Sequence, residues 1–319
     1  MFDEKGISFG GIDVEDAVST LSADSPLLES CQYVASSPGK RFRATMLIDA
    51  AHYGPESSNS LVLQAAVAVE LFHAATLAHD DVVDDGQLRR GRPTIGAYGG
   101  NLAASLSGGW LFARAVELIA DLGVKPAACF AETAATVCEG EMLESLDLHD
   151  PDRSEERYLE VIFAKTASLM AFATWLGGAV AGAGQEQLEA LREYGRSVGM
   201  AFQIADDILD LLADSEVTGK TPGSDLRGGV YTLPVIRALQ RDPSLRLRLV
   251  SGPEGEQLEV LVEQVRATGA VDSALASCRD WAAAAETALP AADAESEHHA
   301  RLVALADSVL TQVEKLAAA

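Results

Sequence analysis

Two aspartate-rich stretches hold most of the chemistry in this chain, HDDVVDD at 79–85 and ADDILD at 205–210. Each carries the pattern D-D-x-x-D, at Asp80, Asp81 and Asp84 and again at Asp206, Asp207 and Asp210. On a helix, carboxylates at i and i+4 project from one face, a turn apart. Like charges held that close are costly unless a cation sits among them. Magnesium suits the position, because it takes a few carboxylates and fills its remaining places with water and phosphate oxygens. The pair of motifs points to a magnesium diphosphate site built from two facing helices. One D-D-x-x-D in a chain with 48 acidic residues reads as a solvated helix face. Two of them, each following an apolar stretch (65–78 and 198–205), do not.

Cations that could answer these carboxylates lie in four segments. GQLRRGRPT follows the first motif with Arg89, Arg90 and Arg92, bracketed by glycines as a loop would be. Adjacent guanidinium groups beside a metal–carboxylate cluster fit phosphate, to which arginine donates in a fork. PGKRFRAT places Lys40, Arg41 and Arg43 at a helix start, where anions are favoured. FAKTASL puts Lys165 in an apolar helix, where it either snorkels to the surface or meets an anion. TGKTPGSDLRGG is a glycine-rich loop with Lys220 and Asp225, and it is not a P-loop.

The elements that position these residues read as helices. Apolar residues recur at i, i+3 and i+4 through most of the 319 residues, and aromatics are only 6%. No β-branched alternating run bounded by turn residues stands out. Breakers fall at 36–39, 54–60, 86–100, 177–184, 218–229, 252–255 and 290–297. The expectation is an all-α chain, one domain over 1–319, folded as a single large helical bundle around a central cavity. A net charge of −24 argues against nucleic acid and anionic membranes as partners. Cys31, Cys129, Cys138 and Cys278 show no C-x-x-C spacing and read as reduced, buried thiols. No apolar run is expected to reach membrane-spanning length without charges, and no secretory signal opens the chain. The reading is cytoplasmic, with no transmembrane segment.

Taken together the segments GKRFR, ELFHAATLAHDDVVDDGQLRRGRPT, EGEML, YLEVIFAKTASL, GMAFQIADDILDLL, GKTPGSDL and TLP resemble the trans-isoprenyl (polyprenyl) diphosphate synthases. They run in order over 39–234, about three-fifths of the chain. The resemblance implies an isoprenoid synthase fold, a homodimer, and head-to-tail condensation of isopentenyl diphosphate with an allylic diphosphate. It implies that Asp80, Asp81 and Asp84 bind two Mg²⁺ ions and that Asp206, supported by Asp207 and Asp210, holds a third. Arg89, Lys165 and Lys220 would grip the allylic diphosphate, and Lys40, Arg43 and Arg90 isopentenyl diphosphate. Thr166 and Gln203 would face the leaving group and the nascent cation. Terpene cyclases, which resemble this family in fold, mix Asn, Ser or Thr with Glu in their second motif.

Some positions depart from the family's pattern. Val230 stands where a lysine precedes T-L-P, Val62 where a histidine is expected, and Gly109-Trp110 for the usual G-D. Ala44 replaces a frequent proline and Glu144 a frequent glutamine. These departures keep a second reading open, a weakly active or non-catalytic subunit of a heteromeric synthase. For product length, the resemblance puts the pocket along the helix upstream of Asp80. Ala75 and Thr76 leave its upper part open, and Phe72, roughly 12 Å up the axis, is the first bulky candidate floor or else an ordinary core aromatic. Trp110 is another candidate. A product of C30 or longer is expected, with C20 as the shorter alternative.

Overall fold

In the computed structural model, residues 8–9, 12–13, 30–31, 33 and 41–317 are described, apart from 59, 90, 213–221, 250–252 and 291–294. The chain is all-α. Its helices are α1 (Phe42–Ala51), α2 (Ser60–Val83), α3 (Ile95–Ala120), α4 (Val124–Leu146), α5 (Glu155–Ile162), α6 (Ser168–Val180) and α7 (Gln185–Leu212). There follow α8 (Ser224–Gly228), α9 (Leu233–Arg241), α10 (Arg246–Leu249), α11 (Glu256–Ala267), α12 (Ala270–Ala288) and α13 (Glu297–Ala317). Two-residue strands pair antiparallel as β1 (Ser8–Phe9) with β2 (Ile12–Asp13), and β3 (Leu88–Arg89) with β4 (Arg92–Pro93). The second hairpin lies in a segment read from sequence only as a loop, and Gly91 at φ 75° makes its turn.

Two compact units are distinguished. The first joins Met1–Ala131 to Phe172–Glu189. In it α2 packs between α1 and α3, and its contact face is largely alanine: Ala65, Ala66, Ala68, Ala74, Ala75 and Ala78 are all buried. Small side chains there let helices approach closely. Thr94 starts α3 by accepting a hydrogen bond from the Ala97 N–H at 3.1 Å, and Gly100, with φ 81°, breaks that helix's regularity.

The second unit joins Glu132–Ala171 to Ala190–Ala319. Helix α7 is tied to α13 by the Tyr194 hydroxyl donating to the Leu302 carbonyl at 2.8 Å. It is tied to α12 by the Cys278 thiol on the Ala201 carbonyl at 3.3 Å. Burial pushes that thiol up to about 12, with Arg279 opposing the shift. Burial holds for Cys31 and Cys278 but not for half-buried Cys129 or exposed Cys138. Thiolate is the reactive form, so alkylation of the native protein should label Cys138 and spare Cys278. Mass spectrometry showing equal labelling of the two would contradict this packing.

The expectation that no run reaches membrane-spanning length needs correction. Ser60–Val83, Ile95–Ala120 and Glu155–Val180 are each long and apolar enough by length and composition. In the first and third, 67% and 78% of the most apolar window is buried inside the protein, which accounts for their hydropathy as core. Only 33% is buried in α3, whose Tyr98, Leu102, Leu106 and Val116 stand exposed.

Candidate active site

Helix α2 delivers the first acidic motif at its C-terminal end. Asp80 and Asp81 lie in its last turn, and Asp84 follows one residue beyond it. The Asp84 N–H still donates to the Asp80 carbonyl at 2.8 Å, so the two keep the i, i+4 relation. The chain then turns through Asp85, at φ 49°, into the β3–β4 hairpin. That hairpin returns Arg89 to the motif, where its Nε donates to Asp81 Oδ1 at 2.7 Å. Thr94 Oγ1 fastens the base of the hairpin to the Gly86 carbonyl.

The RFR segment is held to the same helix by a residue that the sequence reading passed over. Glu70, 4% exposed, accepts the Ala44 N–H on Oε1 at 3.1 Å and Arg41 Nη1 on Oε2 at 3.4 Å. It satisfies an orphan N–H at the start of α1 while pairing with the guanidinium. A lone glutamate inside VAVELF was the available signal. Arg43 follows in the first turn of α1, half-buried. Lys40, Arg90 and Lys220 lie outside the described residues.

Farther up α2, Phe72 is 2% exposed and belongs to a chain of rings. Its centroid lies 5.1 Å from Phe130 and 5.7 Å from Phe112. Phe130 continues to Phe172, and Phe172 to Trp175. Ala75 is buried and Thr76 half-buried, its hydroxyl turned onto the His73 carbonyl. Trp110, by contrast, is half-exposed, with the Arg114 guanidinium 6.0 Å from its ring centre.

In the second motif, α7 turns its three aspartates differently. Asp206 is exposed, Asp210 half-buried and Asp207 only 4% exposed. One residue advances the helix by about 100°, so Asp207 leaves the face that Asp206 and Asp210 share. Tyr158 Oη donates to Asp207 Oδ2 at 2.6 Å, and Gln203 Nε2 donates to Oδ1 at 2.9 Å. Asp210 instead receives the backbone N–H groups of Ser224 and Asp225, both at 3.2 Å, and the Ser224 hydroxyl. It thereby fixes the start of α8.

Lys165 and Thr166 sit on a π-helical turn, Phe163–Ala167, between α5 and α6. Such turns insert a residue and re-aim side chains, often at functional sites. No proline or glycine marks it in the sequence. Two neighbouring glycines give it room. A Cβ on Gly140 would come within 2.6 Å of the Lys165 backbone nitrogen, and one on Gly199 within 2.5 Å of Ala167 Cα. Lys165 Nζ lies 2.8 Å from Glu141 Oε2 and bonds Glu144 as well. Thr166 Oγ1 donates to Gln203 Oε1 at 2.8 Å.

The electrostatics of this unit are acid-rich. Burial pushes the Asp207 carboxyl up to about 7, against the pull of its bonds from Tyr158 and Gln203; Asp206 and Glu144 add to the rise. Asp225 is pushed well above the carboxylate range by burial and by Asp210, Asp207, Asp206 and Glu144. Tyr158 is pushed well above the phenol range by burial and then by Asp207. A divalent cation would relieve this excess negative charge. Among the described residues no three His, Cys, Asp or Glu side chains converge as a ready-made metal cage. Magnesium needs none, since one or two carboxylates with water and substrate phosphates suffice. Asp80, Asp81 and Asp84, and Asp206 separately, are the carboxylates that could serve in that way.

The sequence model of the polyprenyl synthetase family matches residues 24–267. The nonaprenyl diphosphate synthase of Mycobacterium tuberculosis is 42% identical over 241 residues, covering 75% of this chain and 72% of that protein. The heptaprenyl diphosphate synthase component 2 of Geobacillus stearothermophilus is 40% identical, covering 79% of each. A crystal structure of a polyprenyl synthase from Caulobacter crescentus, complexed with calcium and isoprenyl diphosphate, superposes with a TM-score of 0.86. It is 34% identical and covers 93% of both chains.

Proposed function

The chain belongs to the polyprenyl synthetase family, and from that membership we propose that it is a prenyltransferase that builds a trans-polyprenyl diphosphate from isopentenyl diphosphate and an allylic diphosphate. The proposal takes 1–319 as one polyprenyl synthase domain and gives it a long-chain product, C30 or above, which the nonaprenyl and heptaprenyl relatives support. The single observation that carries it is the pair of D-D-x-x-D motifs near helix ends, the first with Arg89 on Asp81, the second in the unit that also holds Lys165 on Glu141 and Glu144.

Magnesium is the proposed metal, as three ions once substrate is bound, held by Asp80, Asp81 and Asp84 and by Asp206 with Asp207 and Asp210 behind it. Bound there, the metal would neutralise negative charge on the leaving diphosphate. Arg89, Lys165 and Lys220 are assigned to the allylic diphosphate. Donors fixed where charge develops favour departure of the leaving group, because they need no reorganisation during the reaction. Thr166 Oγ and the Gln203 amide oxygen present lone pairs to the carbocation left behind. Lys40, Arg43 and Arg90 are assigned to isopentenyl diphosphate, whose double bond forms the new C–C bond. The proton then lost passes to the released diphosphate, so no side-chain base is required.

Glu144 sets the availability of Lys165. Two carboxylates compete with substrate for one ammonium, and a partly exposed pair of this kind contributes up to about 1 kcal/mol. Glu144→Gln should therefore lower KM for the allylic diphosphate roughly two- to fivefold. A raised KM would show that Glu144 orients Lys165 rather than restrains it.

The exposed apolar stripe of α3, through Leu102, Leu106 and Val116, supports a homodimer. The Geobacillus relative's name, component 2 of a heptaprenyl diphosphate synthase, keeps a second reading, a subunit that needs a different partner. Free thiols among the described residues fit the cytoplasm as the place of work. The reaction is tested by its stoichiometry. One inorganic diphosphate should be released per isopentenyl diphosphate consumed, lost on chelation and restored by Mg²⁺. Diphosphate release without consumption would identify a lyase instead.

A further inference from the structure

A chain of hydrogen bonds runs inward from the side chains assigned to the cation. Thr166 Oγ1 donates to Gln203 Oε1 at 2.8 Å, Gln203 Nε2 to Asp207 Oδ1 at 2.9 Å, and Tyr158 Oη to Asp207 Oδ2 at 2.6 Å. Tyr158, at 1% exposure, is among the largest fully buried side chains. Its ring is backed by Arg153, whose guanidinium carbon lies 5.6 Å from the ring centre. Arg153 is itself fixed, with Nη1 donating to the Tyr231 carbonyl at 3.1 Å and Nε lying 3.3 Å from Asp147.

We infer that Tyr158 is a positioning residue for prenyl transfer, acting through Asp207 to keep the Gln203 amide oxygen turned toward Thr166 and the reacting carbon. The inference rests on the elongation reading above. An amide can present either its oxygen or its nitrogen, and only a partner decides which. Both Asp207 oxygens are taken as acceptors, one by Gln203 Nε2 and the other by Tyr158 Oη, which leaves the amide oxygen on the opposite side. The phenol holds Asp207 in turn, since its bond to Oδ2 stops the carboxylate from rotating away. Without the hydroxyl, the buried Oδ2 loses its donor and the carboxylate can swing. The amide then loses its fixed orientation, and its N–H end would repel a carbocation.

The test is Tyr158→Phe in the full chain, which keeps the ring volume, alone and combined with Gln203→Ala. Wild-type turnover is measured first, so that absence of elongation counts against the reaction and not against Tyr158. The expected result is a kcat lowered roughly tenfold with KM for both substrates changed less than about twofold. In the Gln203→Ala background the same substitution should lower kcat by less than about twofold, because residues acting as one unit are not additive. A merely structural role would appear as a lowered Tm with kcat preserved in the folded fraction. An unchanged kcat, a loss confined to KM, or a full tenfold loss added to that of Gln203→Ala would each overturn the inference.

Discussion

Asp80→Ala is expected to reduce kcat roughly a hundred- to a thousandfold while leaving the protein folded. The residue is half-buried in the last turn of α2, and the alanine face that packs the helix lies upstream. Truncation therefore removes a charge and little packing. The loss should fall on the chemical step, because stabilisation of the leaving diphosphate is strongest in the transition state. A second signature is a higher Mg²⁺ concentration at half-maximal rate, read from steady-state kinetics over a magnesium titration. Asp206→Ala should behave alike. A kcat within about threefold of wild type in both variants would remove the motifs from the mechanism.

Phe72→Ala carries the second large effect, on stability and on product together. Phe72 is fully buried against Phe112 and Phe130, and truncating such a ring costs about 3–5 kcal/mol. If the ring is also the floor of the product pocket, the space left admits further isoprene units and the products shift to longer chains. Phe72→Leu separates the effects, since it keeps most of the packing and removes only the ring. Products sized by chromatography from both variants should lengthen in the order wild type, Leu, Ala. Destabilisation with an unchanged product would make Phe72 a core residue and no more.

Much of this was legible in the sequence because local spacing decides it. The two motif helices follow from apolar periodicity, and the Arg89 loop from its glycine and proline punctuation. What was not legible depends on contacts distant in sequence. Tyr158 is 49 residues from Asp207, and nothing in YLEVIF marks it as the donor. Asp207 and Asp210 share one sequence pattern with Asp206, yet Asp207 turns inward to Tyr158 and Gln203, Asp210 holds α8, and Asp206 stays exposed. The π turn at Lys165 has no composition signal, only the glycines that pack on it from α4 and α7. Glu70 looked like one acid in an apolar run, and only the start of α1 shows what it satisfies. The apolar length of Ser60–Val83, Ile95–Ala120 and Glu155–Val180 was not legible as such, and burial separates the first and third from the second.

The most direct measurement takes the purified chain with Mg²⁺, radiolabelled isopentenyl diphosphate, and geranyl, farnesyl or geranylgeranyl diphosphate as primer, and sizes the products. A ladder that ends at one length, C30 or longer, is the predicted result. No incorporation with any primer, from folded protein, would contradict it and leave the chain as a subunit that needs a partner to work.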